Sequence, residues 1–245
     1  MPRRRRIRVL RLAGREAAFT LLEILVVLTV IAIVAAVAIP SVLAARIRSN
    51  EEAAVATLHL IADAEARFRA DAKVDLDRDG DPEFGYLKEM AATVGVRTSA
   101  DGSSVGEPAS PPSLPPGFGA LEPAGELVRL GYRFRVFLPG AAAVGVGETQ
   151  SFPLEASVDA KLAATAWCCY AWPTRRGTSG GRTFFVNQTG RVVGAECDDY
   201  SGPGRFQTED CGAAFARGVG TLATMTGLVA SGTRGRDGNW WRRAY

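Results

Sequence analysis

The run Phe19-Thr-Leu-Leu-Glu-Ile-Leu-Val-Val-Leu-Thr-Val-Ile-Ala-Ile-Val-Ala-Ala-Val-Ala-Ile39, closed by Pro40, carries one charged side chain, Glu23. At a helical rise of ~1.5 Å per residue, roughly 20 apolar residues span a hydrocarbon core ~30 Å thick, so this stretch is long enough to cross a membrane. Glu23 is the anomaly, because a carboxylate in hydrocarbon costs on the order of 3 kcal/mol and usually marks a partner or a function. Immediately ahead lie Arg3, Arg4, Arg5, Arg6, Arg8, Arg11 and Arg15, opposed only by Glu16. A block of arginines before an apolar span is the positive-inside signal, which places residues 1–18 in the cytoplasm and the chain beyond Pro40 on the far side. The same block accounts for the chain's positive net charge: of 29 basic and 26 acidic residues, 22 and 25 remain after residue 18. No nucleic-acid partner is expected.

An ordinary signal peptide places its small-residue cut site after the apolar region. Here Ala17-Ala18 precede it, and Ala18-Phe19-Thr20-Leu21-Leu22-Glu23 stands at its start. In these residues the chain resembles the type IV pilin and pseudopilin family, whose precursors are cut on the cytoplasmic side just before a phenylalanine, with glutamate fifth in the mature chain. Pro40 also falls where that family has a helix-kinking proline, and the resemblance extends to about Ala70. The departure is Ala18, where the family usually has glycine. The resemblance implies processing between Ala18 and Phe19 by a prepilin peptidase, amino-terminal methylation, and assembly through Glu23. The implied partners are other pilin or pseudopilin subunits, the inner-membrane assembly platform and membrane lipid. The implied location is the bacterial inner membrane, with a periplasmic head, and then a periplasmic or extracellular filament. Cleavage would create an α-amino group with an unperturbed pKa of ~8, a natural counter-ion for Glu23 within or between subunits.

The expected fold class is α+β and pilin-like: a long amino-terminal helix, transmembrane and then amphipathic, packed on a small antiparallel sheet. The expected organisation is a basic leader over 1–18, a membrane or filament-core half-helix over 19–40, an amphipathic half over 41–72 and a β-rich head over 73–245. Ile47, Ala54, Leu58, Ile61 and Phe68 form one helical stripe, with Glu51, Glu52, Asp63, Glu65, Arg67 and Arg69 read as its solvated or subunit-facing side. Tyr132-Arg-Phe-Arg-Val-Phe-Leu138 alternates as a half-buried strand whose Tyr132, Phe134, Val136 and Leu138 face that stripe. Trp167–Trp172 reads as a further strand, and Arg182–Val193 as a hairpin turning at Asn187–Gly190. The Pro-rich stretch 97–120 reads as a surface loop. A short helix is expected near Cys211–Arg217, and Trp240 and Trp241 either cap the core, the favoured reading, or form a contact surface.

Chemistry-bearing residues are few. Asp75, Asp77 and Asp79 followed by Gly80 match the opening of a calcium loop, with Asp81 and Glu83 as further carboxylates. The position twelve residues from the start is Tyr86, where a calcium loop places its bidentate glutamate, so the stretch fits either a calcium site or an Asp/Gly turn. Cys168, Cys169, Cys197 and Cys211 allow three full pairings, and a Cys197–Cys211 disulfide across the Gly/Asp-rich loop is favoured. His59 has no nucleophile or second histidine near it in sequence, and the chain has no phosphate loop or histidine-bearing metal motif. An enzyme is not expected. The two surviving functions are a structural subunit of a pilus-like filament, either a type II secretion pseudopilin or a minor pilin, and a membrane-anchored exported binding or adhesion protein that does not polymerise.

Overall fold

A computed structural model describes residues 19–218 and 220–244; Ala18 and the basic leader lie outside the described residues. The chain divides into two compact units between Val42 and Leu43. Helix α1, Leu21–Ala70, opens on a cap: Thr20 Oγ1 accepts the Glu23 N–H at 3.1 Å. The helix continues through Pro40, and every apolar side chain from Leu21 to Ile33 is exposed.

The second unit holds the remaining elements. Short helices α2 (Leu87–Met90) and α3 (Ala160–Ala163) accompany strands β1 (Gly95–Arg97), β2 (Val105–Pro108), β3 (Leu121–Glu122), β4 (Glu126–Arg129), β5 (Tyr132–Pro139) and β6 (Gly145–Gly147). Then follow β7 (Cys168–Pro173), β8 (Arg182–Asn187), β9 (Val193–Glu196), β10 (Thr233–Arg234) and β11 (Trp240–Arg243). Strands β1 and β2 pair as a separate ribbon, so part of the stretch read as a plain loop is a ladder. The main sheet is antiparallel in the order β10-β11-β9-β8-β7-β5-β4-β3, with β6 also on β5. It is larger than the small sheet expected, because the carboxy-terminal segment contributes two strands.

The helical stripe and the β5 alternation meet as expected. Ala54, Leu58, Ile61 and Phe68 join Tyr132, Phe134, Val136 and Leu138 in one core, extended by Cys169, Ala171, Phe184 and Val186. Ile47 is only half-buried. Alternation sends Cys168, Tyr170, Trp172, Phe137 and Phe185 to the opposite face, where they form a second core with Tyr200, Phe206, Cys211, Phe215, Met225 and Trp241. The sheet is therefore the middle of three layers: helix, strands, and a largely irregular cover from the carboxy-terminal segment. No helix forms at 211–217; a single turn lies at Thr208–Asp210 instead. The cover's close approach explains this, since a Cβ on Gly212 would stand 2.6 Å from the carbonyl oxygens of Leu222 and Thr224. Tyr170 ties it down by donating to Cys211 O at 2.9 Å and accepting Ala214 N–H at 3.0 Å, with its ring stacked on Phe206.

The double cover also corrects the reading of β5, all eight of whose residues are buried. Arg133 is held by Glu122 at 2.7 Å and Glu126 at 2.6 Å, and Arg135 donates to Phe206 O and Gln207 Oε1, both at 2.8 Å. Phe68 is fully buried beneath Gly85, where an added Cβ would stand 2.8 Å from the ring. Phe68→Ala is expected to cost about 3–5 kcal/mol, the range for emptying a buried aromatic site. Denaturant unfolding of the full chain in detergent measures it.

Candidate functional site

Three features carry the chemistry, and the first is the apolar half of α1. Phe19, Leu21, Leu22, Ile24 and Leu25 are exposed around Glu23, whose own side chain is exposed in the first helical turn. Thr29 satisfies itself by donating to Leu25 O at 2.8 Å. Glu23 is then the one charge on this surface. Among the described residues α1 is the one helix long and apolar enough to cross a membrane. An apolar surface of this extent requires lipid or other apolar helices around it.

The second is the acidic loop after α1. Asp75, Asp77 and Asp79 come together, each with a carboxylate oxygen within 4.8 Å of the others. Asp75 Oδ1 is buried without a hydrogen-bond partner. Gly80, at φ +86°, turns the loop so that its N–H reaches Asp75 Oδ2 at 3.2 Å. The other two predicted ligands are not part of the group. Asp81 is paired with Arg69, and Glu83 points inward to accept the Leu76 N–H at 2.9 Å. The fold thus gathers three carboxylates rather than five, still the hard oxygen donors that a divalent cation takes.

The third was not legible in the sequence: a set of buried carboxylates that accept backbone N–H groups where segments meet. Glu51 and Glu65, both read as solvated, are buried. Glu51 accepts from Gly181 N at 2.9 Å, Arg182 N at 3.2 Å and Arg182 Nε at 2.8 Å, and Glu65 accepts from Gly85 N at 2.9 Å. Glu89 takes the N–H groups of Tyr86 (2.9 Å) and Arg97 (2.7 Å) and pairs with the Arg97 guanidinium. Glu148 caps α2, accepting Leu87 N and Lys88 N at 2.9 Å each. Burial pushes the carboxyl groups of Glu65 and Glu83 above the usual range, and that of Glu148 up to about 7. The sequence held only a trace of this: Glu51 and Glu65 flank the apolar stripe one helical turn from Ala54 or Ile61, on the edge of the buried face, while their partners are distant in the chain.

All four cysteines are unbonded and buried, so the expected Cys197–Cys211 disulfide is not formed in this structure. The two thiols are engaged separately: Cys197 Sγ accepts from Asn239 Nδ2 at 3.1 Å, and Cys211 Sγ donates to Ala223 O at 2.9 Å. Burial pushes Cys211 up to about 12 and raises the other three. Cys168 and Cys169 face opposite sides of the sheet, as the strand reading requires. His59 is exposed.

Residues 14–39 match the prokaryotic N-terminal methylation motif, the processing signal of type IV pilins and pseudopilins. Residues 34–198 match a second family model, described as a protein of unknown function, DUF2950. The chain belongs to the DUF2950 family. No curated protein and no solved structure matches it. The DUF2950 match runs from the apolar half of α1 through β9, and leaves β10, β11 and most of the second-face cover beyond its end. The methylation motif points to a structural, pilin-like protein rather than to an enzyme family.

Glu148 gives this DUF2950 chain a pH signature. Its folded carboxyl titrates near 7 against an ordinary value of 4.5, so between those values the folded state holds a proton that the unfolded state has released. The associated stability is complete below pH ~4.5 and is lost as the pH rises through ~7. Glu148→Gln is expected to shrink the fall in melting temperature between those two pH values. An unchanged fall would show that Glu148 does not titrate there.

Proposed function

We propose that this protein is a structural subunit of a type IV pilus-like filament, a type II secretion pseudopilin or a minor pilin. On this reading it is cut before Phe19, stored in the inner membrane through residues 19–40, and assembled with its head on the periplasmic side. The observation that carries the reading is a coincidence on one helix. The described part of the methylation motif, residues 19–39, is an uncovered apolar surface interrupted by a single carboxylate, Glu23. Removing the leader leaves a protonated amine four residues from Glu23, and a subunit packed out of register leaves that carboxylate buried and unpaired, which is strongly penalised. The charge thus selects alignment.

Mass spectrometry of the protein from its native host tests the processing step, with a methylated Phe19 as the expected terminus. An intact leader, or a cut beyond Ile39, would overturn the reading. Glu23→Ala is expected to enter the membrane normally and to reduce filament yield at least tenfold, scored by electron microscopy of sheared fractions.

The acidic loop supports a second activity on the same head, the binding of one calcium ion by Asp75, Asp77 and Asp79. The orphaned, buried Asp75 Oδ1 favours it. Three carboxylates on an exposed loop suit an affinity of about 10⁻⁴ to 10⁻³ M, that of extracellular calcium modules. Isothermal titration of the full chain in detergent should show one such site, weakened in Asp77→Asn; no heat and no gain in melting temperature would leave a plain turn.

A further inference from the structure

Folding gathers, from distant parts of the sequence, a basic groove that neither the methylation motif nor the filament reading uses. It runs along β11, the inner neighbour of the sheet's last strand. A concavity of about 540 Å³ is lined by Arg182, Arg234, Trp240, Arg242 and Arg243, with Glu196 as its only carboxylate. A second, of about 280 Å³, shares Arg243 and adds Arg191 and His59. This concentration of positive charge sits in a chain that carries more acidic than basic residues after its leader.

The strand geometry explains why these groups converge. On β11, Trp241 enters the core while Trp240 and Arg242 point to the other face. Arg234 lies opposite Trp240, and Arg242 lies opposite Gly194. Neighbouring strands are ~4.8 Å apart and alternate residues on a strand ~6.7 Å, so Arg234, Trp240 and Arg242 share one patch, with Arg243, the last residue of β11, lining it from the strand end. Gly194 keeps the trough open, since a Cβ there would stand 2.9 Å from the Phe184 ring. Arg182 is already engaged by Glu51, whereas Arg242 and Arg243 form no ion pair among the described residues. Trp240 is 48% exposed, while the other three tryptophans are buried, and the Arg234 guanidinium lies 6.0 Å from its ring centroid.

We propose that this groove binds single-stranded nucleic acid, with phosphates on Arg234, Arg242 and Arg243 and a base stacked on Trp240. A cationic trough beside an exposed aromatic ring is the arrangement that holds a single strand without reading its sequence, because every base offers a π-face. Duplex DNA hides those faces. An acidic polysaccharide would bring many hydroxyl donors, for which the larger concavity offers only Glu196 and Asn239 as side-chain acceptors. The proposal does not rest on filament assembly.

The test uses the full chain in detergent, a 20-nucleotide oligothymidylate, and polygalacturonate as the competing polyanion. Binding to the groove should quench tryptophan emission through Trp240, a signal that oligonucleotide on the leader arginines would not give. Trp240→Ala should weaken binding roughly tenfold with little change in salt dependence. Arg242→Ala with Arg243→Ala should weaken it further and reduce the slope of log affinity against log salt by about 1.4, at ~0.7 for each phosphate no longer neutralised. The Arg242→Lys, Arg243→Lys chain keeps the charge and should retain most of the affinity, which separates a loss of phosphate binding from a loss of folding. The proposal is overturned by an absence of quenching at about 50 mM salt, where phosphate binding is strongest. It is equally overturned by binding that the arginine-to-alanine changes leave unaltered, or by polygalacturonate binding as tightly as the oligonucleotide.

Discussion

A sheet whose central strands are buried on both faces must be covered twice. Strands β5 and β7 are buried along their whole length, and their alternating side chains feed two separate cores. The amphipathic half of α1 can close only one of them. The other is closed by a glycine-rich segment with little regular structure, which can approach closely enough because glycines stand where a side chain would collide. Gly145 is one: a Cβ there would lie 2.4 Å from Cys211 Sγ. Each large side chain moved out of water contributes about 1.5–3 kcal/mol, so the irregular cover stabilises the sheet without forming helices of its own.

Covering both faces buries backbone at the junctions, and buried N–H groups need acceptors. Glutamates supply them. Glu51 serves the start of β8, Glu65 the turn at Gly85, Glu148 the first turn of α2, and Glu126 both Arg133 and the Gly204 N–H at 2.8 Å. A carboxylate in a dry interior is costly unless hydrogen-bonded or protonated, and this chain uses both remedies. The raised proton affinity of Glu65 and Glu148 follows from their structural role. It needs no catalytic explanation.

The amino-terminal half of the molecule was legible because its signals are local. An apolar span over residues 19–39, a misplaced small-residue pair and one glutamate stand side by side in the chain, and the helical and strand periodicities of Leu58, Ile61, Phe134 and Val136 predict a shared core. What escaped depends on contacts between distant residues. Glu51 and Glu65 look like solvent-facing charges until Gly181 and Gly85 are brought against them. The Asp75–Glu83 stretch looks like one ligand set until Arg69 takes Asp81 and Leu76 takes Glu83. Trp240 and Trp241 look like a pair, yet strand alternation puts one in the core and the other in a groove. The carboxy-terminal cover had no period to read, because its fit is dictated by the surface beneath it.

The grip of α1 on the sheet has a mechanical consequence. Glu51 fastens the helix to the start of β8 through two hydrogen bonds from Arg182 and one from Gly181 just before it, and Asn50 Nδ2 adds a bond to Ser179 O at 2.8 Å. Tension carried along the helix therefore reaches a strand that is bonded on both edges, to β7 and to β9. A load arriving there is shared between two ladders rather than borne by one edge. The helix is thus attached at a strand held on both sides rather than at a free edge.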